Sequence, residues 1–272
     1  MLWDAAAIKG YTIAGSDGPL GTVSDFLFDD ASWKMRWLVV DVGRWLSGRN
    51  VLIPVSALGR PDPASRQFFV KLTVQQIKVC PDIAQHLPVS RQAESDLYAY
   101  YGWEPYWADS YFGDMMPTAF VPRPYQALAR PRELGRVNSP KRPGDPHLRS
   151  IEAIIGYHVH ATDGEIGHVG DFLAEEPGWD IRYIKVDTKN WLPGRRVVIS
   201  PLSISAIDWA QRLVFLDVDR EKVRHSPLYD PSSTVDGAYD EAILTYYGIK
   251  WVRPDVVAPT TSVAEKESLP RR

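Results

Sequence analysis

The chain has 272 residues, of which 44% are hydrophobic and 24% charged, which is enough for one large domain or two of ordinary size. Its 31 basic and 34 acidic side chains give a formal charge of −3, so composition favours neither a nucleic-acid-binding protein nor a disordered acidic one. The absence of a long apolar run predicts no membrane helix, and the N-terminal residues predict no signal peptide. The single cysteine, Cys80, excludes an intramolecular disulfide, and we expect a cytoplasmic location.

The first half of the chain predicts short strands that are separated by turns. β-Branched and aromatic residues, bounded by Gly, Pro, Asp and Ser, indicate strands at 11–14, 21–28, 35–41, 50–54 and 67–72. A helix follows, with Ser90 as its N-cap and Gly102 after its last turn. Ala93, Leu97 and Tyr101 are spaced four residues apart and predict one apolar stripe on this helix.

The middle of the chain predicts a connector without a core of its own. Residues 113–150 are rich in proline and in Arg and Lys, a composition typical of extended, semi-rigid linkers. Such a basic segment can also contact RNA or anionic lipid, and the residues concerned are Arg130, Arg132, Lys141 and Arg142. Aromatic residues are sparse there, so we favour a solvated linker.

The second half repeats the first. Gly10-Tyr11 recurs 146 residues later as Gly156-Tyr157, and Asp25-Phe26-Leu27 recurs as Asp171-Phe172-Leu173. Tyr100-Tyr101-Gly102 recurs as Tyr246-Tyr247-Gly248, which predicts a second helix with Asp236 as its N-cap. The repeat is too long for a solenoid and predicts a domain at 1–112, a linker at 113–150, a second domain at 151–253 and a disordered tail at 254–272.

The ordered motifs of both halves resemble the PRC-barrel family. These motifs are G-Y-x-I/V, D-G, G-x-V-x-D-F-L, W-x-x-R-W/Y-L/I-x-V-D and a G-R-x-V-x-I strand, over about residues 8–80 and 154–227. The family includes the cytoplasmic domain of the photosynthetic reaction centre H subunit and the C-terminal domain of the ribosome-maturation factor RimM. The resemblance implies a mainly β fold with two small antiparallel PRC-type β-barrels, each followed by a short helix like that of bacterial tandem PRC-barrel proteins.

Two equivalent loops contain the best candidates for binding a partner. Trp45 and Arg49 lie in the first loop, and Trp191 and Arg195 lie in the second. Trp and Arg are the residue types that contribute most binding energy at protein interfaces. The alternative is that each Trp covers the end of its barrel and belongs to the core.

A group of histidines is the weak candidate for a metal site. His158 and His160 are two residues apart, so on a strand they share a face, and His168 lies on the next strand of the hairpin. The first half has Thr12, Ala14 and Thr22 at these positions, which favours the alternative of ordinary exposed histidines.

Four aspartates recur at equivalent positions: Asp25, Asp41, Asp171 and Asp187. They could act in acid–base chemistry or hold an ion, but acceptance of backbone N–H bonds at strand ends explains them more simply. Cys80 has no neighbour in the sequence that would lower its pKa, so we expect an inert thiol.

We therefore expect a non-catalytic scaffold or adaptor without a cofactor. The resemblance implies docking on protein partners, at the membrane surface or within assemblies of the reaction-centre H type, and self-association is also open. One alternative is an RNA- or ribosome-associated assembly factor of the RimM type, although the near-neutral charge argues against nucleic acid. The second alternative is a metal-dependent enzyme that uses His158, His160 and His168.

Overall fold

The computed structural model describes residues 1–43, 49–80, 91–103, 148–188, 191–192, 197–227, 229 and 237–248. The strands of the first half are β1 Leu2–Asp4, β2 Thr12–Ala14, β3 Pro19–Asp29, β4 Lys34–Asp41, β5 Asn50–Pro54 and β6 Gln67–Phe69. Those of the second half are β7 Leu148–Ser150, β8 His158–Ala161, β9 Gly164–Glu175, β10 Asp180–Asp187, β11 Val197–Ile199, β12 Ile204–Asp208 and β13 Leu213–Leu216. The α-helices are α1 Ala5–Ile8, α2 Val74–Val79, α3 Arg91–Tyr101, α4 Ile151–Ile154, α5 Arg220–Arg224 and α6 Gly237–Tyr247.

The described strands form one mixed sheet, so the prediction of a mainly β fold is confirmed. The sheet has the order β12-β13-β8-β9-β10-β4-β3-β2-β6, and β1, β5, β7 and β11 pair beside this path. Most pairs are antiparallel, but β2 with β6 and β8 with β13 are parallel. The expectation of purely antiparallel strands is therefore corrected, because the last strand of each half, β6 or β13, runs in the same direction as its neighbour, β2 or β8.

The two halves exchange their first strands, and this exchange was not predicted. β1 pairs with β9 of the second half, where Leu2 is opposite Glu175. β7 pairs with β3 of the first half, where Leu148 is opposite Asp29. The two pairings are equivalent under the 146-residue repeat, so the halves are related by an internal pseudo-twofold arrangement.

The contact between β4 and β10 lies at the centre of this arrangement. The Met35 N–H donates to the Trp179 carbonyl at 2.9 Å, and the Ile181 N–H donates to the Trp33 carbonyl at 2.8 Å. The two bonds are again repeat equivalents. Both tryptophans have positive φ, 55° for Trp33 and 56° for Trp179, a left-handed conformation that is uncommon for bulky residues. The Trp33 ring stacks on Phe28, and the Trp179 ring packs on Phe68.

A hydrophobic core continues from one half into the other. The rings of Phe28 and Phe172, one from each half, have centroids 5.9 Å apart, and those of Phe68 and Trp179 are also 5.9 Å apart. The buried hydrophobic residues of both halves belong to one packed cluster. Two separate closed barrels are therefore not confirmed: the described strands form an open sheet, because the exchanged strands join the halves.

The recurring turns at Asp17-Gly18 and Asp163-Gly164 each contact the start of a helix. The Asp17 carboxylate accepts the N–H of Val74 at 2.8 Å, and Asp163 accepts the N–H of Arg220 at 2.8 Å. These N–H groups begin helices α2 and α5, where donors have no partner within the helix. Each turn is thereby fastened to the short helix that follows the last strand of its half.

The helices that end in Tyr-Tyr-Gly are placed as predicted, and each packs on its own half. The Tyr100 hydroxyl donates to the carbonyl of Gln76 at 2.7 Å, and the Tyr246 hydroxyl donates to that of Lys222 at 2.7 Å. Gly102 and Gly248 have φ of 69° and 72°, so each supplies the left-handed residue that ends a helix. The predicted N-caps Ser90 and Asp236 lie outside the described residues.

The predicted domain boundaries stay a prediction, because most of the linker and the whole tail lie outside the described residues. The last three linker residues, 148–150, form β7 and so belong to the folded body. Among the described helices, none is both long and apolar enough to cross a membrane.

Candidate functional site

A bulged hairpin in the second half positions the most reactive group of side chains. In the pairing of β8 with β9, the register shifts by one residue between Val159 and His160. At Gly167 the backbone has a φ of 142°, and a Cβ atom there would lie 2.1 Å from the carbonyl oxygen of Asp187. Only glycine fits this close approach, which explains why Gly21 recurs at the equivalent bulge of the first half.

The bulge brings two histidines and a glutamate to one face of the sheet. His158 and His168 are direct partners on neighbouring strands, and their ring centroids are 4.4 Å apart. The Nδ1 atom of His158 lies 2.8 Å from Oε1 of Glu165. This hydrogen bond is the main cause that lowers the pKa of Glu165. Each of the three residues offers a ligand atom, and these atoms all lie within 4.8 Å of one another.

The structure thus changes the set of candidate metal ligands. His158 and His168 come together, but the place of His160 in the group is taken by Glu165. The His160 ring instead lies beside Phe215, with centroids 5.9 Å apart. Sequence reasoning missed Glu165 because a spacing of three residues puts it and His168 on opposite faces of a regular strand. The signal was Gly167, which marks the bulge.

A cavity of about 400 Å³ opens beside this group. Its lining includes Glu165 and His168, and also Asp187, Trp191 and Arg220. Asp187 is the direct partner of His168 on β10, so β8, β9 and β10 present ionisable side chains in one row. The cavity therefore combines carboxylates, imidazole, a guanidinium group and an aromatic wall.

Trp191, one of the predicted interaction residues, forms the aromatic wall of the cavity. Its ring lies under two guanidinium groups, at 5.1 Å from that of Arg220 and 5.6 Å from that of Arg224. The indole N–H is buried and has no hydrogen-bond partner among the described residues. The ring is thus engaged by its own chain, and only part of it faces solvent.

Arg49, the other candidate that the structure describes, serves its own half. Its guanidinium group donates to the carbonyl of Cys80 at 2.7 Å. The thiol of Cys80 is buried and lies 3.0 Å from the hydroxyl of Tyr101. Trp45 and Arg195 lie outside the described residues, as do Arg130, Arg132, Lys141 and Arg142, so their roles stay predictions.

Two exposed phenylalanines lie at equivalent positions of the two halves, and the sequence analysis did not single them out. Phe69 on β6 is 55% exposed, and its repeat equivalent Phe215 on β13 is 36% exposed. Phe215 is less exposed because the ring of His160 lies beside it, whereas the partner of Phe69 on β2 is Ala14. The sequence contained a signal for them, because an aromatic residue recurs at this position and in both halves follows a buried residue, Phe68 or Val214.

Two of the four recurring aspartates, Asp25 and Asp171, accept hydrogen bonds across the two halves, whereas Asp41 accepts the N–H of Gly43 at 2.8 Å in its own half. Asp171 accepts the N–H of Ala6 at 3.1 Å, and its equivalent Asp25 accepts the N–H of Glu152 at 3.1 Å. The hydroxyl of Ser150 also donates to Asp25. Burial raises the pKa of both aspartates above the ordinary 3.8. Asp25 therefore joins β3 to helix α4 of the second half, and Asp171 joins β9 to helix α1 of the first half.

Among the described side chains of helices α3 and α6, a buried carboxylate occurs only on α3, in the first half. Glu94 is fully buried on α3 and accepts the indole N–H of the buried Trp37 at 2.7 Å. Tyr98 packs on the same indole ring, with centroids 4.9 Å apart. This bond holds the helix on β4, and because the carboxylate is fully buried, we assign Glu94 a structural role.

Comparison with known proteins supports the resemblance for the first half. Residues 4–76 match the family model of the PRC-barrel domain. An uncharacterized protein of Deinococcus radiodurans is 42% identical over 77 residues, which are 28% of this chain and 27% of that protein. The chain thus matches about a quarter of the length of this relative. A PRC-barrel domain is therefore found over residues 4–76.

Proposed function

We propose that the protein is a non-catalytic adaptor that presents two equivalent apolar contacts to protein partners on one rigid body. The observation that carries this proposal is the pair of exposed phenylalanines, Phe69 and Phe215, at the same strand position of the two halves. An exposed large aromatic side chain is unfavourable in water, and aromatic residues are enriched at the centres of protein interfaces. Its recurrence supports a role that both halves share.

The exchanged strands support the rigidity that an adaptor requires. Because β1 belongs to the sheet of the second half and β7 to that of the first, the halves cannot rotate apart without breaking strand pairs. A partner that contacts both phenylalanines would therefore meet a preformed arrangement, and preformed surfaces lose less entropy on binding.

The matched PRC-barrel domain supports the same class of function, since this domain type is found in scaffold and assembly proteins. The second half repeats the motifs and elements of the first, and we propose that it is a second PRC-type unit. The proposal places the protein in the cytoplasm, where it meets its partner free or at the membrane surface. Identification of the partner would decide between an assembly of the reaction-centre H type and one of the RimM type.

Site-specific photo-crosslinking in cells tests the adaptor function. A photoreactive phenylalanine analogue is placed at position 69 or 215, and at position 79 as a matched control. Val79 is apolar and 59% exposed, but its repeat position is His225, so it has no apolar equivalent. We expect a discrete crosslinked protein from positions 69 and 215, and a much weaker one from position 79.

Two results would contradict the proposal. One is the absence of any discrete product from both phenylalanine positions, and the other is the same product at equal yield from position 79. A product of twice the mass of the chain would show that the surface binds a second copy of the chain instead of a different protein. In that case we expect the purified Phe69→Ser and Phe215→Ser variants to sediment as monomers.

A further inference from the structure

We propose that the second half contains a binding site for a divalent transition metal of the zinc class, formed by His158, Glu165 and His168. This site is independent of the adaptor function, because it lies on the hairpin of β8 and β9 and does not include Phe69 or Phe215. It differs from the sequence-based set by one ligand, Glu165 in place of His160.

The distances fit a metal with little rearrangement. The three ligand atoms lie within 4.8 Å of one another. Ligand atoms bound to tetrahedral zinc at about 2.0–2.1 Å are about 3.3 Å apart. Rotation of exposed side chains closes this difference, and His158 and Glu165 are exposed. The backbone already holds His158 opposite His168 in a regular pairing, so no strand has to move.

The ligand types select the metal. Two imidazoles and one carboxylate suit zinc and its neighbours cobalt, nickel and copper, whereas magnesium and calcium prefer oxygen ligands. Three protein ligands leave at least one position for water or another ligand, as in open zinc sites. The cavity that Glu165 and His168 line provides space for such a ligand.

The charges around the site also favour a cation. Asp187 is paired with His168 across the strands, and it lines the same cavity. Arg220 is a positive charge in the lining, but its guanidinium group is held against the Trp191 ring. In the described lining the two carboxylates of Glu165 and Asp187 outnumber this one guanidinium group, and the second guanidinium group nearby, that of Arg224, is also held against the Trp191 ring.

The first half provides an internal control. The residues equivalent to His158, Glu165 and His168 are Thr12, Pro19 and Thr22, although the bulge and the pairing register are the same. Threonine and proline do not replace imidazole and carboxylate as zinc ligands. The proposal therefore requires one zinc ion per chain and not two.

Isothermal titration of the full, metal-stripped chain with zinc chloride tests this site. We expect one zinc per chain, a dissociation constant at least tenfold weaker in the variants His168→Ala and Glu165→Gln, and a raised thermal unfolding midpoint on addition of zinc to the wild type. His160→Ala is the matched control: this histidine lies on the same hairpin, and its removal should leave the affinity within about twofold. The unfolding midpoints of the metal-free variants report whether each still folds.

Three results would overturn the site. They are no saturable binding of zinc, binding that is unchanged in both His168→Ala and Glu165→Gln, and an equal loss in His160→Ala. Because the titration contains no protein partner, its failure leaves the adaptor function untouched, and loss of the crosslink leaves the metal site untouched.

Discussion

The two halves of the molecule share a backbone plan but differ in the side chains of one hairpin. In both, a bulge at Gly21 or Gly167 interrupts a strand pairing, that of β2 with β3 or of β8 with β9, and an aspartate of β3 or β9 contacts the opposite half. Only the second half places histidines and a glutamate beside that bulge. Residues that recur build the joined body, and residues that do not recur are the better candidates for a specific activity.

The recurring Phe69 and Phe215 are the exception to this division. They recur but are exposed, so folding does not explain them. A recurring exposed residue indicates a function that both halves perform, whereas the zinc-class site would belong to the second half alone. The proposals for partner binding and for metal binding thus rest on different kinds of residue.

The largest effect is expected from a core substitution at the junction of the halves. Phe172→Ala should lower the free energy of unfolding by about 3–5 kcal/mol, because it leaves a cavity in the core. The matched variant Phe26→Ala, at the equivalent position, should cost about 0.5–1.5 kcal/mol less, because Phe172 has an aromatic contact with Phe28 and the position equivalent to Phe28 is Ala174. Chemical denaturation measures both, and a larger loss in Phe26→Ala would contradict this comparison.

A medium effect is expected from Asp25 and Asp171, the two recurring aspartates that bond to the opposite half. Asp25→Ala and Asp171→Ala should each lower the free energy of unfolding by about 1–3 kcal/mol, because each leaves a backbone N–H of the opposite half without its acceptor. In Asp25→Ala the Ser150 hydroxyl also loses its acceptor, whereas Asp171→Ala otherwise removes only an ion pair at 3.9 Å with Lys185, which keeps its closer partner Asp4. Asp25→Ala should therefore be the less stable of the two. Thermal and chemical unfolding of both variants would show whether the two aspartates contribute equally to the free energy of unfolding. An unchanged free energy of unfolding in both variants would show that these bonds do not hold the halves together.

The smallest expected effect is a dependence of the free energy of unfolding on pH, which comes from Asp25 and Asp171. Burial raises the pKa of Asp25 and Asp171 in the folded state above 3.8, so the folded state binds these protons more tightly than the unfolded chain. Their favourable contribution to stability is fully present below the unfolded pKa and is lost as the pH rises through the raised folded pKa. The double variant Asp25→Asn/Asp171→Asn lacks this loss, and its stability relative to the wild type should therefore increase from about pH 4 to pH 7. A relative stability that is flat or falls over this range would show that burial does not dominate at these carboxyl groups.

The sequence predicted the elements of each half better than their arrangement. Strand runs such as 35–41 and the helix ends at Gly102 and Gly248 follow from local preferences, and the repeat supported each of them. The exchange of β1 and β7 could not be predicted, because three-residue strands have little signal of their own and their partners lie in the other half. Pairing between distant segments depends on tertiary packing and not on local pattern.

The candidate site was predicted only in part for a similar reason. His158 and His168 follow from the hairpin, but the approach of Glu165 depends on the bulge, which changes the two-residue period of a strand. Arg49 looked like a binding residue and bonds instead to the carbonyl of Cys80. Residue type alone does not distinguish a guanidinium group that binds a partner from one that holds a loop.

Hydrogen exchange of a variant with a defect in one half tests most directly whether the two halves form one cooperative body. Trp37 packs on Tyr98 and donates to Glu94, both in the first half, so Trp37→Ala, or the milder Trp37→Phe, weakens that half. We predict that the amides of β9, in the second half, lose protection by the same free energy as those of β3. Loss of protection in β3 with unchanged protection in β9 would show that the halves unfold independently, and would contradict the joined body on which the adaptor proposal depends.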